Sequence, residues 1–167
     1  MEIEELLGLP AHPLLVHLPV VLVPLAALGV VAMAIRPAWL KTIGWAVAGV
    51  AGTGFLGALV ASGSGEALED DLVASGQTIG GTLSDHAEMG ETAPWVAGLF
   101  FALALAWVVF AWWRRRTGEE QAVAKVRKPG VVGAVLMVLA LLSGAAATIA
   151  VVRTGHSGAE SVWETET

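Results

Sequence analysis

Four long apolar stretches, separated by polar connections of unequal length, set out the chain. They cover approximately residues 14–35, 43–61, 94–113 and 130–152. Each is long enough to cross a bilayer as a helix, which takes about 20 residues. Backbone polar groups inside a bilayer must be satisfied within the protein, so the pattern predicts helices that pack together. The expected fold is all-α: a polytopic membrane protein whose single domain, residues 1–167, is a four-transmembrane-helix bundle running up-down-up-down. A secretory leader is the competing reading of the first stretch. It is disfavoured because Glu2, Glu4 and Glu5, rather than basic residues, precede it. Pro19 and Pro24 predict a kink in the first helix.

The connections differ in character. Arg36 to Lys41 reads as a tight turn, and Ser62 to Ala93 as a long glycine-rich acidic connection. Arg114 to Lys128 is strongly basic, and Arg153 to Thr167 is a polar tail. Cytoplasmic connections of membrane proteins carry an excess of Lys and Arg. Eight of the nine Lys+Arg fall in the first and third connections, with only Glu119 and Glu120 beside them, which gives +6 on that side. The other side carries Arg153 against the remaining thirteen acidic residues, which gives −12. This asymmetry predicts that both termini are extracytoplasmic and that the protein lies multi-pass in the cell membrane. Trp39, Trp45, Trp107, Trp112 and Trp113 fit an inner aromatic belt, and Trp95 an outer one.

Composition agrees with the pattern. Only 14% of residues are charged and mean hydropathy is +0.72, against roughly 25% charged in a soluble domain. No cysteine is present, which excludes disulfides, thiolate metal sites and thioether-attached haem. The basic cluster is explained by topology, so nucleic-acid binding is not expected. Small residues line the second helix (Gly49, Gly52, Gly54, Gly57) and the fourth (Gly130, Gly133, Ser143 to Ala147). Close helix packing is the plainer reading of them. Space for a flat cofactor is the other. Beyond two helical hairpins no internal repeat is evident.

All four histidines fall on the expected outer side: His12, His17, His86 and His156. Ionisable residues at membrane depth are costly and point to a functional site. His12 precedes Pro13, which biases it away from helical conformation, so His17, about one turn in, is the expected helix-held ligand. Ser84 is the expected N-cap of a helix continuing into the third span, with His86 in its first turn. Gly155 and Gly158 flank His156 and allow close approach. Glu66 and Glu88 are candidate metal ligands or orienting carboxylates, whereas Glu69, Asp70 and Asp71 read as a solvated acidic face. Arg153 is the lone outer cation, an interfacial anchor or a partner for haem propionates.

The run AHPLLVHLPVVLVPLAALG, the segment around His86 and the ending TGHSGAESVW resemble the bacterial domain-of-unknown-function family 2231 of predicted membrane proteins. The resemblance covers nearly the whole chain. It implies a four-helix membrane protein in which His12, His17 and His86 occupy family positions, while His156 stands where many members have an apolar residue. Relatives joined to Rieske or cytochrome domains imply, by association, a redox role at the outer face.

The leading expectation is a membrane-embedded haem b protein for electron transfer near the extracytoplasmic face. His17 is the first axial ligand expected, then His86 or His156. Imidazole plus carboxylate also suits a zinc, iron or copper ion, and with Glu66 or Glu88 as base a membrane hydrolase. A third reading is a structural subunit of a larger membrane complex, homo- or hetero-oligomeric, without chemistry. Besides the lipid bilayer, a redox protein or a quinone is the expected partner.

Overall fold

A computed structural model describes residues 5–6, 9–76, 81–118, 126 and 128–163. Glu5–Leu6 (β1) pairs antiparallel with Leu9–Pro10 (β2) in a two-residue ladder, and the rest of the regular structure is helical. The helices are Ala11–Leu15 (α1), His17–Ile35 (α2), Trp39–Thr42 (α3), Gly44–Ala74 (α4), Thr82–Thr117 (α5) and Pro129–Trp163 (α6). Four of them, α2, α4, α5 and α6, are long and apolar enough to cross a membrane. They form a closed ring in which α2 packs on α4 and α6, and α5 packs on α4 and α6.

The first helix breaks at Val16, ahead of Pro19 and Pro24. Val16 is a turn between α1 and α2. Pro19 has no N–H to offer the Leu15 carbonyl and its ring crowds that oxygen, which accounts for α1 ending at Leu15. The Val16 N–H to His12 carbonyl bond, 3.1 Å, and the Val20 N–H to Val16 carbonyl bond, 3.3 Å, run across this turn. Helix α2 runs on through Pro24.

The connection between the second and third spans is mostly helix among the described residues, which corrects the expectation for residues 62–93. Helix α4 continues 13 residues past Ala61, and α5 begins 12 residues before Pro94. Glu66, Ala67, Leu68 and Glu69 are good helix formers, and apolar positions recur there. At 1.5 Å per residue α5 is about 54 Å long, well beyond the ~30 Å hydrocarbon layer. The turn expected over Arg36 to Lys41 contains α3, with the Arg36 guanidinium 5.5 Å from the Trp39 ring centre. Arg116 lies 4.5 Å over Trp112 at the matching end of α5. Glu119, Glu120, Lys125 and Arg127 lie outside the described residues.

The core is built from a stripe on each helix: Val23, Val30 and Met33 on α2, Ala51 and Ala58 on α4, Phe100, Ala104 and Val108 on α5, Ala140 and Ala147 on α6. Trp107, expected in the inner belt, is instead buried, because it falls on the same stripe as Phe100 and Ala104. In the glycine stripe, Gly52, Gly54, Gly57 and Gly144 serve contact, whereas nothing lies within 4 Å of a Cβ on Gly49 or Gly130. A Cβ on Gly57 would lie 2.8 Å from Leu18 Cβ, and one on Gly144 would lie 2.9 Å from the Phe100 ring. Close packing, rather than cofactor space, fills those positions.

Candidate histidine site at one end of the bundle

The break at Val16 decides which histidine turns inward. His12 lies within α1, contrary to its expected non-helical conformation, because Ala11 extends the helix ahead of it. Pro13 then sits in the first turn, where an N–H has no partner to lose. Helix α1 packs on α4, and the half-buried His12 ring lies against it. Its Nδ1 is 3.0 Å from the Ala61 carbonyl oxygen and 3.1 Å from Ser64 Oγ. Burial pushes His12 below the ordinary histidine range; the Ala61 carbonyl opposes this, and nearby His86 adds to the lowering.

His86 comes from α5. Its N-cap is Gly81, at φ 59°, rather than Ser84, so His86 stands in the second turn. Its Nδ1 is 3.1 Å from Ser157 Oγ on α6. The His12 and His86 ring centres are 6.0 Å apart, with planes at 79°. Thus α1, α4, α5 and α6 all contribute to one small polar cluster.

The other candidates fall elsewhere. His17 opens α2 with an exposed side chain. His156 points outward, 74% exposed, and its Nε2 lies 3.2 Å from Glu160 one turn on. Arg153 and Glu88 are exposed. Glu66 lines a groove of about 400 Å³ between α4 and α5, with Glu91, Pro94 and Trp95. Among the described residues no group of three or more His, Cys, Asp or Glu is placed to hold a metal ion. The residues that sequence reasoning passed over are the serines Ser64 and Ser157, both buried. Their one shared feature in the sequence is that each is followed by glycine and then, within three residues, by glutamate.

The model of the family described as predicted membrane protein (DUF2231) matches residues 8–167. The chain belongs to this family. No curated protein and no solved structure matches it. Membership and the four apolar helices agree on a multi-pass membrane protein in a lipid bilayer.

Proposed function

We propose that the bundle is a b-type haem protein for electron transfer, in which His12 and His86 would hold the haem. The observation that carries the reading is the meeting of two imidazoles from separate helices, with ring centres 6.0 Å apart. Two imidazoles sharing one metal ion at about 2 Å per bond have ring centres roughly 6 Å apart when opposed across it. Burial favours the neutral, ligating form of His12. Among the described residues no group of three or more His, Cys, Asp or Glu is placed to hold an ion, and haem would need only these two histidines from the chain. That point favours haem over a zinc or copper site. Bound haem would supply a one-electron couple, and the chain would supply ligands and a scaffold. The partner is a quinone or a redox protein.

Orientation follows from charge. His86 lies near the start of α5, and Arg114, Arg115 and Arg116 lie in its last turn. Arginines on the cytoplasmic side leave the histidines and both termini outside.

The test is a spectrum. Protein purified after haem-replete expression is expected to show a Soret band that shifts on reduction. The band should be lost in His12→Ala and in His86→Ala, and kept in His17→Ala and His156→Ala. Colourless wild-type protein overturns the reading.

A further inference from the structure

We infer that Ser64 and Ser157 are positioning residues that hold His12 and His86 in the Nδ1-protonated tautomer, and that the bundle builds this seat twice. The argument is one of proton accounting. Ser64 Oγ lies 2.9 Å from the Ala61 carbonyl oxygen, which can only accept, so the hydroxyl donates there. The same Oγ is then an acceptor towards His12 Nδ1, as is the Ala61 oxygen itself. Both contacts require the His12 proton to sit on Nδ1. Ser157 repeats the pattern. Its Oγ donates to the Thr154 carbonyl at 2.9 Å and accepts from His86 Nδ1 at 3.1 Å. In both rings the neutral form therefore carries its lone pair on Nε2.

The next residue completes each seat. A Cβ on Gly65 would lie 3.0 Å from His12 Cε1, and one on Gly158 would lie 2.7 Å from His86 Cε1. A side chain at either place would push the imidazole off its serine. So Ser-Gly near the outer end of α4 receives a histidine from α1, and Ser-Gly near the outer end of α6 receives one from α5. Each two-helix hairpin carries one seat, with the same hydroxyl-to-carbonyl bond one turn back.

The inference specifies how the proposed ligand pair is presented, yet it can be read without haem. The probe is the side-chain 15N spectrum of histidine-labelled, haem-free protein in detergent, above the histidine titration range. His12 and His86 are expected to show Nδ1–H and a pyridine-type Nε2. Ser157→Ala should move His86 to a majority Nε2–H population and leave His12 alone, and Ser157→Thr should restore it. Ser64→Ala should change His12 less, since the Ala61 carbonyl remains. Nε2–H in the wild type, or no response of His86 to Ser157→Ala in protein that melts as the wild type does, overturns the inference. A failed Soret test would remove the haem and leave this result standing. In haem-loaded protein, Ser157→Ala should keep the Soret band and raise the reduction potential, because the ligand loses a hydrogen bond that increases its basicity.

Discussion

The middle of the bundle and its histidine end are held by different physics. In the middle, shape does the work. Phe100, fully buried, lies against Gly144, and Leu18 of α2 lies against Gly57 of α4. Lipid tails are as apolar as these side chains, so close contact rather than water exclusion is what the helices gain. At the histidine end the helices are joined by directional polar contacts from His12 to α4 and from His86 to α6. The contrast separates a packing region, which depends on volume, from a polar region that depends also on each donor and acceptor being kept.

The largest effects should fall in the middle. Phe100→Ala empties the most voluminous fully buried side chain, and a loss of about 3 kcal/mol is expected from cavity formation. Unfolding in mixed micelles would measure it; a loss near zero would mean that lipid or helix movement fills the space. Gly57→Leu tests the same region by overfilling, with a cost of roughly 1–3 kcal/mol because Leu18 Cβ and the Pro19 ring cannot swing away. If this variant melts as the wild type does, α2 and α4 are not held by close approach.

A smaller effect should appear at the polar end, as a dependence on pH. The folded His12 pKa lies below its ordinary value of 6.5, chiefly through burial. Above 6.5 the ring is neutral folded and unfolded, and pH does not matter through this group. As pH falls through 6.5 the unfolded chain takes the proton first, so stability declines until the folded pKa is passed. Melting temperatures should therefore fall with acidification more steeply in the wild type than in His12→Gln. Equal slopes would mean that the His12 ring is as easily charged in the fold as in water.

Much of the middle was legible from hydropathy alone, because the bilayer imposes length and composition on any spanning helix. The ends were not. The stretch GEALEDDLVA carries both loop-like charge and good helix formers, and only packing against α5 and its own continuation from the span decides between them. Pairing was hidden for another reason. Sequence put four histidines at one end of the bundle, but which two meet depends on helix rotation. That rotation follows the break at Val16, and the prolines predict a kink without fixing where it falls. Ser64 and Ser157 carried no visible signal as single residues; their role exists only once a histidine from another helix lies against them.

The smallest effects should come from the histidines that the fold leaves exposed, and these sharpen the comparison most. His156 and Glu160 form a contact one turn apart on the surface of α6, where solvent screens it and long side chains lose entropy to hold it. Glu160→Gln and His156→Ala should each change stability by no more than about 0.5 kcal/mol. His17→Ala belongs with them, since its side chain is exposed at the start of α2. Measured beside His86→Ala, which removes the imidazole from Ser157, they ask whether position at this end of the bundle or contact with a serine makes a histidine matter. Four similar small losses would favour position and undo the distinction drawn between the two pairs. A loss confined to His12 and His86 would favour the seats, and would do so whether or not the protein carries haem.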